Sequence, residues 1–225
     1  MVIIGVTDIH GEVGCIDRVK AELASADVVL VAGDLASFGA ARRDAAPIVD
    51  AIRAHNANVL AVAGNCDDPD VEQYLLDEGI GLHGTHRVID GVAFLGCGGS
   101  RRNWGATPNE HSEDVLAGFL DAAAAGLDPD MPAVLVCHQP PLGTAVDRVP
   151  SGQHVGSRAV RAFIETFKPL LCLSGHIHES VGTDRLGNTQ LVNPGPLYDG
   201  GYAYAEVLDR VGAVDGVAAV EVRRV

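Results

Sequence analysis

Lysine is almost missing from this 225-residue chain: Lys20 and Lys168 are the only two. The 16 basic residues face 30 acidic ones, for a net charge of −14. A surface that acidic repels phosphate backbones and anionic lipid heads, which argues against non-specific nucleic-acid binding and against attachment to a membrane surface. Aspartate outnumbers glutamate two to one. Salt adaptation and a GC-rich coding sequence both produce that balance, and composition leaves the two open. No apolar run approaches the ~20 residues of a bilayer-spanning helix. No charged-then-apolar leader precedes Val2, so a cytoplasmic location is expected. Cys-x-x-Cys pairs are also absent. The five cysteines (Cys15, Cys66, Cys97, Cys137 and Cys172) are odd in number and scattered. That excludes a disulfide framework and a structural zinc site. No linker, internal repeat or low-complexity stretch interrupts the chain, and residues 1–225 read as one domain.

What is present alternates. Val2 to Thr7, Val28 to Ala32 and Val59 to Ala63 are short apolar runs of buried-strand type. Between them, residues 14–25 and 41–55 carry helical spacing, with Ile16, Val19 and Leu23 on one face of the first. Such a βαβαβ order predicts parallel strands with right-handed crossovers. Asp68-Pro69 predicts a helix start running to about Asp77. The pattern then changes. Arg87 to Ile89 and Val92 to Gly96 flank Asp90-Gly91, a type I′ hairpin signal. Two long loops are predicted at 98–105 and 142–156, lengths that are more often functional than idle. Helices are expected at 112–125 and 158–167, and strands at 133–137 and 170–174. A β-rich tail (181–185, 190–192, 203–208, 217–222) follows, and its last part, Gly201 to Val225, is expected to complete a second sheet.

Five short pieces place a metal-ligand type of residue directly after a strand. They are Asp8-Ile9-His10, Gly33-Asp34, Gly64-Asn65-Cys66-Asp67, His138 before Gln139-Pro140-Pro141, and Gly175-His176-Ile177-His178. Singly, each has an ordinary reading as a cap, a turn or a surface histidine. Parallel strands deliver their carboxyl ends to one edge, where α/β folds build sites. Seven candidate ligands arriving together (Asp8, His10, Asp34, Asn65, His138, His176 and His178) leave room for two metal ions, a device for displacement at phosphorus. Mixed carboxylate, amide and imidazole donors suit Mn²⁺, Fe, Zn²⁺, Co²⁺ or Ni²⁺. Of the remaining histidines, His55, His83, His86 and His111 read as surface or loop residues. Arg101 and His154, on the two long loops, and Cys66 are candidate substrate contacts.

This ordered series resembles the calcineurin-like metallophosphoesterases. Val192-Asn193-Pro194-Gly195 also resembles this family, and the segments Gly98-Gly99-Ser100, Thr107-Pro108-Asn109-Glu110, His154-Val155-Gly156-Ser157 and Gly175-His176-Ile177-His178-Glu179-Ser180 are similar to a prokaryotic branch of predicted phosphoesterases related to bacterial cyclic-AMP phosphodiesterases. The resemblance implies an α/β fold, a four-layer αββα sandwich of two mixed sheets flanked by helices. It implies that Asp8, His10 and His178 hold one ion, that Asn65, His138 and His176 hold the other, and that Asp34 bridges both. Asp34, Asn65 and His176 would then be the residues on which catalysis depends most. Two divalent transition-metal ions are implied, Mn²⁺ foremost, with a hydroxide held between them as nucleophile. The expected substrate is a small-molecule phosphate ester.

Two positions depart from the family pattern. Ser37 stands where a second acidic residue is common, with little consequence. Cys66 stands where the family commonly has a histidine that contacts phosphate or protonates the leaving oxygen. With an unperturbed pKa of ~8.5, a thiol is a poor acid for that task. Esters whose leaving groups depart unprotonated become the better substrates. A phosphodiesterase is the leading expectation, a phosphomonoesterase on the same site the nearest rival, and a non-catalytic protein-binding scaffold the rival of another class. Oligomeric state is not legible.

Overall fold

The protein's computed structural model describes residues 1–102, 107–210 and 213–225. In chain order the elements are β1 (Val2–Val6), a 3₁₀ turn (Val13–Val19), α1 (Lys20–Ser25), β2 (Val28–Ala32), α2 (Arg42–Arg53), β3 (Val59–Val62) and α3 (Pro69–Asp77). They continue with β4 (His86–Ile89), β5 (Val92–Cys97), β6 (Ser100–Arg101), β7 (Glu110–His111), α4 (Glu113–Ala124), β8 (Ala133–Cys137), α5 (Arg158–Phe167) and β9 (Leu171–Leu173). The chain ends with β10 (Gly182–Leu186), β11 (Thr189–Asn193), β12 (Gly201–Arg210) and β13 (Ala213–Arg224). Local chemistry sets several boundaries. Asp68 accepts from Asp70 N with Pro69 in the first turn of α3, and Ser112 and Ser157 cap α4 and α5 by accepting from Val115 N and Val160 N. Asp90 and Gly91 both sit at positive φ, as a type I′ turn between β4 and β5 requires.

One sheet has the order β13-β12-β1-β2-β3, and the other β10-β11-β9-β8-β5-β4. Period-two burial shows how they stack. Leu30, Leu60, Phe94, Val134, Val136 and Leu173 fill one apolar layer between the sheets. Val29, Val31, Val59 and Ala61 face the opposite way, onto Ile16, Ile48, Ile52 and Leu75 of the first helical layer. Leu95, Leu135 and Cys172 face Leu116, Leu120, Val160 and Ile164 of α4 and α5. This is the four-layer αββα sandwich. Strands buried on both faces explain why β2, β3, β5 and β8 read as continuous apolar runs. Each fully buried Leu, Val or Phe contributes about 1.5–3 kcal/mol.

Some expectations need correction. The 201–225 hairpin does not complete the second sheet: β12 pairs antiparallel with β1, Val2 opposite Glu206, and so extends the first. The helical stretch at 14–25 is two pieces, a 3₁₀ turn followed by a short α1. The 98–105 loop contributes β6, which pairs with β7; its residues 103–105 lie outside the described residues. Among the described residues, no helix is long and apolar enough to cross a membrane.

Candidate metal centre

In each sheet, parallel strands point their carboxyl ends the same way: β1, β2 and β3 in the first, β5, β8 and β9 in the second. Every candidate ligand follows one of these ends. The two sheets are stitched there, with Gly99 N donating to Ala63 O at 2.9 Å and His138 Nδ1 lying 2.7 Å from Ala32 O. So the ligands come from two packed sheets rather than from one edge of one sheet.

The backbone at these ends is contorted. Asp8, His10, Asp34 and His176 have φ of 52°, 48°, 51° and 68°. Left-handed backbone is costly for residues with a Cβ, and such residues cluster at functional sites. The turns survive because they hold one another. Asp8 N donates to Gly33 O, Ile9 N and His10 N both donate to Asp34 O, and Gly11 N donates to Leu35 O. Two glycines make room. A Cβ on Gly33 would lie 2.5 Å from His138 Nδ1, and one on Gly64 would collide with the Asp34 carboxylate.

The side chains converge. Asp34 Oδ2 lies 3.7 Å from His10 Nε2 and 3.4 Å from His138 Nε2, while Asp34 Oδ1 accepts from Cys66 N at 2.8 Å. Asp8 Oδ1 lies 3.1 Å from His178 Nε2 and 3.8 Å from His10 Nε2. Asn65 Oδ1 is 2.9 Å from His138 Nε2. Three triads have their ligand atoms within 4.8 Å of one another: Asp8–His10–His178, His10–Asp34–Cys66 and Asp8–Asp34–His138. His176 stands outside those triads, its ring edge-on to His138 at 5.1 Å and its backbone N–H donating to Asp8 Oδ2 at 3.1 Å. His10 Nε2 is buried with no hydrogen-bond partner. A buried, unpaired ring nitrogen aimed between two carboxylates costs free energy unless something binds it. A divalent cation would satisfy that nitrogen, and the carboxylate, amide and imidazole donors fit the metals expected from sequence.

Charge on these groups is coupled. Burial opposes charge on His138, but the adjacent Asp34 carboxylate outweighs it and holds the imidazole at about 9. Burial alone would raise Asp34; His138, His10 and the Cys66 N–H together push it well below the usual carboxylate range. Burial and the His138 charge press His176 down to about 4, so it is a neutral donor at neutral pH. The bond to Asp8 raises His178. Burial and the Asp34 charge keep the Cys66 thiol protonated.

The supporting residues were legible in the sequence only in part. Asp67, fully buried, accepts from Leu35 N at 3.2 Å, Ala36 N at 2.8 Å and Gly64 N at 2.7 Å, clamping the Asp34 turn to the Asn65 turn. Thr7 Oγ1 lies 2.9 Å from both Asp8 Oδ2 and Ala32 O. The Tyr198 hydroxyl lies 3.3 Å from His178 Nδ1. Asn193 Nδ2 donates to Ile177 O between the two histidines, so the Asn193-Pro194-Gly195 turn braces the His176–His178 turn. Of these, Asp67 and Asn193 lay inside named motifs, whereas nothing local singled out Thr7 or Tyr198. Ser37 Oγ reaches the carbonyl of His10 at 3.2 Å.

The long-loop candidates form a neighbouring network. Val155 O accepts from Arg101 Nε at 2.8 Å and from Gln139 Nε2 at 3.2 Å, next in chain to His138. His154 Nδ1 is 2.7 Å from Asp147 Oδ1. His86 and His111 are strand residues of β4 and β7, not loop residues, and the half-buried His83 packs its ring 4.1 Å from Phe119.

A sequence model described as calcineurin-like phosphoesterase matches residues 1–180. An uncharacterized protein of Methanocaldococcus jannaschii is 34% identical over 200 residues, covering 87% of this chain and 88% of that protein. The crystal structure of the protein TT1561 of Thermus thermophilus superposes with a TM-score of 0.73 at 21% identity, covering 99% of this chain and 98% of the other. A dimetal phosphatase of Danio rerio is similar in fold, with a TM-score of 0.56, 13% identity, and coverage of 91% of this chain and 92% of the other.

Proposed function

Because the chain belongs to the calcineurin-like phosphoesterase family, whose metal-dependent members hold a dinuclear site, we propose that it is a phosphodiesterase acting on a small-molecule phosphate ester. Family membership carries phosphoric ester hydrolysis; the diester preference and the residue roles are our reading. Asp8, His10 and His178 would hold one ion, and Asn65, His138 and His176 the other. Asp34 would serve both. The observation that carries this is Asp34 Oδ2, set 3.7 Å and 3.4 Å from the ring nitrogens of His10 and His138, which follow strands of the two different sheets. Bound divalent cations would supply positive charge to phosphoryl oxygens and acidify water held there. Mn²⁺ is the favoured ion.

The chain's own groups set the rest. With His138 Nδ1–H bonded to Ala32 O, Nε2 is left to ligate. His10 and His178 side chains are 23% and 36% exposed, against 0% for Asp8 and His138, so the ester is expected to enter from the His10–His178 side. Protonated Cys66 beside Asp34 is a weak acid, which favours esters whose leaving groups need no proton.

The reading is tested by stripping metal with chelator, reloading each candidate ion, and assaying bis-p-nitrophenyl phosphate beside p-nitrophenyl phosphate. Turnover should require metal and favour the diester. Binding should also release more protons at pH 7 than well above pH 9, because metal-free His138 holds its proton to about 9, His178 is raised by its bond to Asp8, and both must be unprotonated to ligate. Calorimetry in buffers of different ionisation enthalpy reads those protons. Full activity in the metal-free sample would sink the proposal. Faster monoester hydrolysis would favour a phosphomonoesterase, and two bound ions without turnover of either ester would favour a scaffold.

Cys66 gives a separate test. Cys66→His should speed esters with basic leaving groups more than activated ones, up to the ~10²–10⁴ of a well-placed general acid. Cys66→Ala and Cys66→Ser report any role of the thiol itself. A leaving-group dependence identical in all four proteins would remove Cys66 from the chemistry.

A further inference from the structure

Asn109 is polar, only 6% exposed, and far in sequence from every candidate ligand. Its contacts fall on one place. Its side-chain Nδ2 donates to Gly64 O at 3.0 Å, and its backbone N–H donates to Asn65 O at 3.1 Å. One residue thus grips the peptide carbonyl before Asn65 and the carbonyl after it. Its Oδ1 accepts from His111 Nε2 at 2.8 Å, which fixes the amide so that the NH₂ faces Gly64. The His111 ring is itself set edge-on against Phe119 of α4, centroids 5.2 Å apart. Backbone bonds tie the segment down: Ser100 N donates to Asn109 O at 3.1 Å and Arg102 N to His111 O at 2.6 Å.

We infer that Asn109 is a positioning residue that aims the Asn65 amide oxygen at the ion beside His138, and that β6 and β7 exist to carry it there. This rests on the dinuclear reading above. Asn65 has a short side chain, so the direction of its amide follows the two peptide planes around it. Gly64 N is held by Asp67 and Cys66 N by Asp34, both from the β2–β3 side. The carbonyls of Gly64 and Asn65 are held by Asn109, from the second sheet's side. Without the Asn109 amide the Gly64–Asn65 peptide plane can rotate, the backbone N–H of residue 109 alone holding Asn65 O, and Asn65 Oδ1 leaves its place 2.9 Å from His138 Nε2. Packing alone does not predict this selectivity. A residue that merely filled space would weaken the whole fold, whereas Asn109 touches the turn of one ligand group and not the Asp8–His10–His178 group.

The test is Mn²⁺ binding by calorimetry, with electron paramagnetic resonance to separate a coupled ion pair from isolated Mn²⁺. The parent protein should bind two ions and show a coupled signal. Asn109→Ala should weaken one ion by about 10- to 100-fold, the range for residues that orient a metal ligand. The other ion should stay at parent affinity, and at limiting metal the signal should become that of isolated Mn²⁺. His111→Ala should act in the same direction but less, and His111→Gln, whose amide can still donate to Asn109 Oδ1, should restore coupling. If Asn109→Ala fails to fold, Asn109→Asp is read the same way, since it keeps the shape and the His111 bond but cannot donate to Gly64 O. Two ions bound at parent affinity in the variant would overturn this inference alone. Equal weakening of both ions would overturn it too, leaving Asn109 a packing residue. A parent protein that cannot bind two ions would remove the dinuclear reading and this inference with it.

Discussion

Asp34→Asn should lose the paired metal ions and lower phosphodiester turnover by more than about 10²-fold, the upper end of what removing a group merely behind a ligand costs. The substitution keeps size and shape. Its carbonyl oxygen can still accept the Cys66 N–H that Asp34 Oδ1 accepts now. What changes is the other atom. An NH₂ would replace the oxygen that faces His10 and His138 at 3.7 Å and 3.4 Å, and the negative charge both sides share would vanish. Asp8 lies within 4.8 Å of His138 but is set closer to His178 and also serves His10, and Asp67 is occupied by three backbone amides, so neither replaces the shared charge. The metal-free protein supplies an independent readout. Asp34 is what holds His138 up at about 9 against its burial. A raised imidazole contributes stability that is fully present below its unfolded value of ~6.5 and is lost as pH rises through the folded one. Metal-free parent protein should therefore lose stability to denaturant between about pH 6.5 and 9. Asp34→Asn should show little of that loss. Calorimetry for the ions, turnover for the chemistry and denaturation at both ends of the window check the prediction. A variant with two ions at parent affinity and parent turnover would show that Asp34 does not serve both sides.

How much of this was legible beforehand differs by level. Strands that carry ligands were readable because β2, β3 and β8 are buried on both faces and run into Gly33-Asp34, Gly64-Asn65 and His138, so apolar run and turn chemistry agree. Helix starts at Asp68 and Ser112 were readable because a cap is a local event. The place of the 201–225 hairpin was not. Nothing within Gly201–Arg210 says that its partner is Val2–Val6, some 200 residues away; that choice is made by which sheet edge is open once the chain has folded. The site divides likewise. A ligand type after a strand is a local signal, whereas residues that hold the ligands, such as Thr7, Asn109 and Tyr198, act through hydrogen bonds that reach segments distant in sequence. Left-handed φ at Asp8, His10, Asp34 and His176 was invisible too, since glycine or asparagine is the usual sign of it and only neighbouring backbone bonds stabilise it here.

Asp67 shows how a residue inside a recognised motif can have its main effect on stability. Asp67→Ala should destabilise the metal-free protein by at least about 3 kcal/mol, because it strands three buried amide N–H groups at roughly 1–3 kcal/mol each. The three donors, Leu35, Ala36 and Gly64, lie in the turns that present Asp34 and Asn65. Water could reach them only if those turns opened, which would relieve the cost and disperse the ligands, so metal affinity should fall with stability. Asp67→Asn separates charge from hydrogen bonding. Its carbonyl in the place of Oδ2 can serve Leu35 N and Gly64 N, while its NH₂ opposes the Ala36 N–H, so its loss should lie between parent and Ala. The pH dependence distinguishes the parent further. Burial and the Asp34 charge hold the Asp67 carboxyl up at about 6 despite its three donors. For a carboxyl raised above its unfolded ~3.9, stability is present at low pH and is lost as pH climbs through the folded value. Metal-free parent should therefore lose some stability between about pH 4 and 6 that neither variant loses. Added Mn²⁺ should shrink that loss by offsetting the Asp34 charge. Urea titrations across that range, with and without metal, read all of these. An Asp67→Ala protein within about 1 kcal/mol of the parent and with parent metal affinity would mean that the clamp between the two turns is made elsewhere.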